Sequence, residues 1–232
     1  MDLLWQGLRQ AVQLIAEADA ELLRILTLSL AVSASATVLA AAIGIPAGVA
    51  LAVGRFPARG FIQTLVNTGM GLPPVVVGLI ITLLLWRTGP LGFLGLLYTP
   101  GAMVLAQLIV AAPIAAGFTQ AALELLEPEL IDALRVDGAG FAKLARELCG
   151  AALPQVLVAV AAAFGRAIAE VGASLMVGGN ILGQTRTLTT TITLVTSRGE
   201  FGLAIALGII LLALALLVNA GLTWRARAAV AA

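Results

Sequence analysis

Five stretches of this 232-residue chain, residues 25–54, 60–86, 88–123, 148–165 and 201–224, contain no Asp, Glu, Lys or Arg. About 20 apolar residues carry a helix across a bilayer, and a crossing segment must satisfy its own backbone hydrogen bonds. Four of the stretches are long enough alone, whereas the fourth in chain order reaches that length only by taking Arg166 and Glu170 inside it. The expectation is an all-α membrane protein with five transmembrane helices. Composition leaves little room for a water-soluble alternative: hydrophobic residues make up 61%, charged residues 11%, and mean hydropathy is +1.09.

An odd number of crossings places the termini on opposite sides, and basic residues orient them. Arg55, Arg59, Arg135, Lys143, Arg146, Arg225 and Arg227 fall on one side, seven in all, against Arg9, Arg24, Arg87, Arg186 and Arg198, five, on the other. The N-terminus is therefore expected outside and the C-terminus in the cytoplasm. Residues 1–21 carry Asp2, Glu17, Asp19 and Glu21, unlike a secretory leader, and Trp5, Leu8, Val12 and Ile15 suggest a helix lying along the membrane surface. Ala34-Ser35-Ala36 mimics a cleavage site, but the apolar run continues to Val53, so the first span is expected to be retained. The loops are short, and a single membrane domain over 1–232 is the economical reading. Histidine is absent and Cys149 is alone, which excludes His-based chemistry and intrachain disulfides. A net charge of +1 gives no argument for nucleic acid.

The first span is rich in Ala, Ser and Gly, which allows close helix approach. The second is interrupted by Gly69, Gly71, Pro73 and Pro74; two consecutive prolines break the hydrogen-bond ladder, as beside a water-filled pathway or at a structural kink. Asn67 and Thr68, one turn earlier, are candidate pathway residues. The third helix is expected to begin near Pro100 and to kink at Pro113.

Residues 124–147 form a charged island holding nine of the 25 charged residues, among them the only lysine, Lys143. Pro128 and Glu129 suit the start of a short helix and Gly138 its end; a second helix fits 141–148, with Phe141, Leu144 and Leu148 on one face. Such short helices are steadied by a partner's groove, apolar stripe down, although an ordinary solvated loop satisfies the same composition. No Gly-Lys-Ser/Thr sequence exists, since Ala142 and Leu144 flank Lys143, so if ATP drives the protein another chain binds it.

Beyond the island, Arg166 and Glu170 stand at i and i+4 and can pair, either structurally or lining a pathway. Asn180, Thr185, Arg186 and Thr189 belong to a Gly- and Thr-rich run whose hydroxyls and amides suit a tetrahedral oxyanion held weakly enough to be released. Simple packing of β-branched residues fits the same run.

The island's DALRVDG, followed by Leu153-Pro154, is similar to the EAA loop of ATP-binding-cassette importer permeases: Asp132, Ala133 and Gly138 match, Leu134 replaces the second alanine, and the Leu-Pro lies later than in the common pattern. NTGMGLPPVVVGL, GPLGFLGLLYTPGAM and GRAIAEVGASLMVGGNILGQTRTLTTTI, in that order along the chain, resemble permeases of the tungstate, molybdate and sulfate group, most closely the tungstate ones. The resemblance implies a type I importer fold and a homodimer with ATPase subunits and an extracytoplasmic oxyanion-binding protein. It also implies alternating access with no chemistry in this chain, ATP being bound by the partner subunit. Asp132, Ala133, Arg135, Asp137, Gly138, Phe141 and Leu144 would then couple to the ATPase. The rivals are a molybdate or sulfate permease, an ion-coupled carrier titrating Glu170, or a scaffold subunit.

Overall fold

In the computed structural model the backbone is described for residues 2–17 and 19–231 and side chains for 3–17 and 19–224, so the side chains of Arg225 and Arg227, used above for orientation, lie outside the described residues. Helix α1 (Asp2–Ala16) precedes the 34-residue α2 (Ala20–Val53), whose N-terminus is capped by Asp19: its carboxylate accepts the Leu22 amide at 2.7 Å. The chain continues through α3 (Arg59–Met70), α4 (Pro74–Leu85), a 3₁₀ turn at Gly92–Leu94, and α5 (Pro100–Glu124). Then come α6 (Pro128–Val136), α7 (Phe141–Ala151), α8 (Leu153–Ile168), α9 (Gly172–Gly178), α10 (Leu188–Ser197) and α11 (Phe201–Ala231).

Three helices are long and apolar enough to cross a membrane without a break: α2, α5 and residues Phe201–Trp224 of α11. The other two expected spans are bent pairs, α3 with α4 at 103° and α7 with α8 at 90°, and the count of five holds when each pair is taken as one crossing. The second span is therefore not a straight helix with a kink. Pro73 and Pro74 leave the carbonyls of α3's last turn without helical partners, and Gly71 and Leu72 turn back to donate to Thr68 and Gly69 instead. At 16 residues, α8 covers only about 24 Å, less than the hydrocarbon thickness. Pro113, by contrast, does not end α5, and its ring packs beneath Gly69 of α3, where an added Cβ would lie 2.7 Å from Pro113 Cγ.

Helices α2 and α5 form the spine. They approach so closely that a Cβ on Gly44 would sit 2.8 Å from the Ala112 carbonyl oxygen, and one on Gly48 would meet the Ala116 carbonyl. Four-residue spacing of small residues permits this backbone contact where lipid offers no hydrophobic drive. Gly48→Val is expected to separate the pair by overpacking, costing about 1–3 kcal/mol or more. The check is membrane-inserted abundance with detergent melting temperature, both of which should fall.

Around this spine, Val77, Ile81, Met103, Val110 and Val177 knit α4, α5 and α9, while Val49, Val53, Leu123, Leu144, Leu148 and Val156 close the end next to α6. The outward surface is apolar, as lipid contact requires: Val38 and Ile43 of α2, Val75, Leu79 and Leu83 of α4, and Leu212 and Leu216 of α11 are exposed. Helix α1 packs Ala11 and Gly7 against α11, with Gly7 facing Ile205, and leaves Trp5, Leu8, Val12 and Ile15 uncovered.

Candidate functional site

Most of the expected site residues gather at two levels, one at the C-terminal end of α2 and one within the bundle, while Asn67 and Thr68 lie apart from both. At the first, α6 begins with Pro128 in its first turn and ends in a Schellman motif. The Ala139 amide donates to the Leu134 carbonyl at 3.0 Å and the Gly138 amide to that of Arg135 at 3.0 Å. Gly138 adopts φ +70°, a conformation that glycine takes at little cost. This turn sets α7 against α6 and leaves Asp132, Ala133, Asp137 and Gly138 on the exposed side.

Two guanidinium groups lock the island to α2. Arg135 Nη2 donates to the Val53 carbonyl at 2.6 Å, while Arg59 Nε donates to the Leu51 carbonyl at 2.6 Å and Arg59 Nη2 reaches Glu124 Oε1 at 3.2 Å. The last carbonyls of a helix have no partners of their own and carry the negative end of its dipole, so two cations there satisfy both needs. Between these residues lies a cleft of about 320 Å³ lined by Gly54, Arg55, Pro128 and Ile131 among others. Asp132 approaches Arg135 only at 3.5 Å and stays largely exposed.

Part of the expected apolar stripe points the other way. Leu144 and Leu148 are buried against Val49, Val53 and Leu123, because α7 completes the chain's own core before offering anything to a partner. Leu144 therefore supports the surface from behind. Phe141 remains 52% exposed, and with it stand two residues the sequence reading passed over, Val136 at 87% and Leu125 at 83%. Their signal was present, since they are large apolar residues in a stretch otherwise given to charge. If an ATPase subunit seats on this patch, as the resemblance implies, Val136→Asp should leave the chain inserted and lower co-purification of the ATPase at least tenfold.

At the second level, Arg166 Nη1 meets Glu170 Oε2 at 3.1 Å, with the Glu170 side chain 1% exposed. The pair is not on one continuous helix face. Helix α8 stops at Ile168, and Glu170 sits in the bend, where its Oε1 accepts the Ala173 amide at 2.9 Å and so caps α9. Its main-chain carbonyl accepts Thr189 Oγ1 at 3.0 Å, which ties α10 to the bend.

The Thr-rich run differs from a hydroxyl-lined passage. Thr185, Thr187, Thr189, Thr190 and Thr191 are buried, and their hydroxyls are committed within the chain. Thr185 donates to the Gly178 carbonyl and accepts the Ile181 amide, Thr187 and Thr190 form a capping box for α10, and Thr191 donates to the Thr187 carbonyl. Ser29, unnoticed in the sequence, accepts the Leu188 amide at 2.9 Å and pins the start of α10 to α2. Asn180, at φ +51°, and Arg186 flank this knot, with Arg186 Nη2 3.5 Å from the Asn180 carbonyl. Asn67 and Thr68 belong elsewhere, on the exposed last turn of α3 beside the Pro73-Pro74 break.

A spine of close-packed helices, two broken spans and a short helix pair latched at one end define a type I importer permease fold. The chain belongs to the family of binding-protein-dependent transport system inner membrane components, whose model matches residues 44–229. It is 36% identical over 220 residues to the tungstate uptake system permease protein TupB of Peptoclostridium acidaminophilum, covering 95% of this chain and 96% of that one. A probable anion ABC transporter permease protein of Haloferax volcanii is 43% identical over 204 residues, covering 86% and 88%. The molybdenum transport system permease protein ModB of Escherichia coli is 32% identical over 213 residues, covering 86% and 91%. Among solved structures, an inward-facing MetNI methionine ABC transporter superposes with a TM-score of 0.73 at 23% identity, over 90% of this chain and 95% of that one, which speaks for the fold. The protein is thus a multi-pass inner-membrane ABC importer permease.

Proposed function

We propose that the chain is the membrane subunit of an ATP-driven tungstate importer, working as a homodimer with two ATPase subunits and an extracytoplasmic binding protein. The observation that carries this reading is likeness along almost the whole chain to a tungstate uptake permease, at 36% identity over 95% of its length. The latched island supports the division of labour. Asp132, Ala133, Asp137, Gly138 and Phe141, joined by Val136 and Leu125, form the surface that meets the ATPase, and Arg135 ties that surface to α2. ATP binding in the partner draws the two islands together, the spans reorient, and hydrolysis resets them. The N-terminus faces outward, and the island and C-terminus face the cytoplasm. Asn67 and Thr68, on an exposed turn at a helix break, are the pathway residues best placed to meet a second copy. Arg166, Glu170, Asn180, Thr185 and Thr189 shape the pathway by holding the α8–α10 bends.

A molybdate permease is the second reading, favoured by the 32% identity to ModB. Proteoliposomes containing the chain, its ATPase and its binding protein should accumulate tungstate only with ATP inside and binding protein outside. Preferential accumulation of molybdate selects the second reading. Gradient-driven uptake by the chain alone points to an ion-coupled carrier and overturns both.

A further inference from the structure

The end of α2 remote from the island holds a cleft of about 540 Å³, bordered by Glu21, Arg24 and Thr27 of α2 and by Gly183, Gln184 and Arg186 of the loop before α10. From Arg24 to Val53 of α2 the cleft and the island stand about 44 Å apart. Arg186 is the residue of interest. Its side chain is only 18% exposed, yet its contacts are long: 3.7 Å from Nη1 to Glu21 Oε1 and 3.5 Å from Nη2 to the Asn180 carbonyl, with Nε buried and unpartnered. Charge-assisted hydrogen bonds ordinarily close to about 2.7–2.9 Å. Arg59 and Arg135, at the other end of the same helix, reach carbonyl oxygens at 2.6 Å. Arg186 is thus a mostly buried guanidinium held in place but left under-coordinated beside open space. Arg24 adds a second positive charge against Glu21, the one carboxylate lining the cleft, while the Asp19 carboxylate already caps the N-terminus of α2. The cleft has room for a solvated ion, since a water occupies about 30 Å³.

We propose that this cleft is an outer receiving site for a doubly charged tetrahedral oxyanion, held by Arg186 and Arg24 with Gln184 as a neutral donor, and weakened by Glu21 so that the ion moves on. The site rests on the transport reading above and gives it an entry point. A planar, five-donor guanidinium suits a tetrahedral oxyanion bidentately, and a carboxylate at the rim competes for the same donors and keeps the residence short. The chemistry is shared by a free oxyanion and by a lipid phosphodiester, and the test separates them.

The full chain is placed in nanodiscs of phosphatidylcholine, and tungstate binding is measured by equilibrium dialysis with elemental analysis of tungsten. Saturable binding of one ion per chain is expected. Glu21→Gln should tighten it at least threefold, and Arg24→Gln, at an exposed position independent of the fold, should weaken it at least fivefold. Arg186→Lys keeps the charge but not the fork and should weaken it to a similar degree. No saturable binding, or an affinity that Arg24→Gln and Glu21→Gln leave unmoved, overturns the site. Loss of tungstate binding when phosphatidylglycerol is added to the disc identifies a lipid headgroup as the occupant and also overturns it. Absence of ATP-driven uptake by the wild-type complex is failure of the transport reading, whereas intact uptake without saturable binding is failure of this one alone.

Discussion

Replacing Glu170 with leucine should leave almost no folded permease in the membrane. Three attachments go or weaken at once: the ion pair to Arg166 at 3.1 Å, the cap on the Ala173 amide at 2.9 Å, and the local geometry that offers the Glu170 carbonyl to Thr189. Removing one partner of a buried pair costs about 3–5 kcal/mol because the remaining charge is stranded. A loss of that size is a large fraction of the roughly 5–15 kcal/mol by which a folded domain is stable. Glu170→Gln is the informative companion. Its amide oxygen still accepts the Ala173 amide, so the cap survives and only the charge is lost, giving a milder drop in abundance. Abundance is read by quantitative immunoblot of membranes and by fluorescence-detected size exclusion in detergent. Rescue of Glu170→Leu by Arg166→Leu would show that the stranded guanidinium, not the missing cap, dominates. Full abundance of Glu170→Gln with transport abolished would instead assign the carboxylate to the pathway.

The second large effect is expected from the double substitution Arg59→Ala with Arg135→Ala. The islands should still bind the ATPase through Phe141, Val136 and Leu125, but α2 would no longer follow them. Stimulation of ATP hydrolysis by the loaded binding protein should drop to about the basal level, while basal hydrolysis and co-purification of the ATPase stay within twofold. Arg135→Lys should recover part of the stimulation, since an ammonium can cap the same Val53 carbonyl but without the planar fork. Coincident loss of ATPase association and stimulation would mean that the two arginines shape the docking face itself.

Much of this was legible in the chain. Freedom from charge located the crossing helices, since nothing else accounts for such long uncharged runs, and Pro100, Pro128 and Gly138 marked helix ends because their backbone constraints are local. What stayed hidden depended on what lies opposite. Pro73-Pro74 announces a break but not its 103° angle, which is set by the packing of α4 on α9 and α5. Leu153-Pro154 stands where α8 starts, so its late position marks the corner at which amphipathic α7 turns into the bundle. The Leu144–Leu148 stripe has the same periodicity whether it meets a partner or the chain's own Val49 and Val53. Threonine hydroxyls likewise read alike when lining a path and when donating one turn back, and only the fold shows that most of them do the latter.

Pro46 lacks the amide that would tie it to the preceding turn of α2, and a helix this long with a missing bond has an obvious place to flex. That place lies between Gly44 and Gly48, the two points where α5 touches the backbone of α2 with no space for a methyl group. The neighbouring helix splints the weak joint, so α2 and α5 have few relative degrees of freedom. If the chain alternates access as proposed above, the rearrangement must be taken up at the joints left unsplinted, the Gly71–Pro73 corner and the bend at Glu170. Arg59 ties α3 to the end of α2 and Gly69 packs it on Pro113 of α5, so distances between labels on α2, α3 and α5 should stay constant through the ATP cycle while those from α2 to α4, beyond the corner, change.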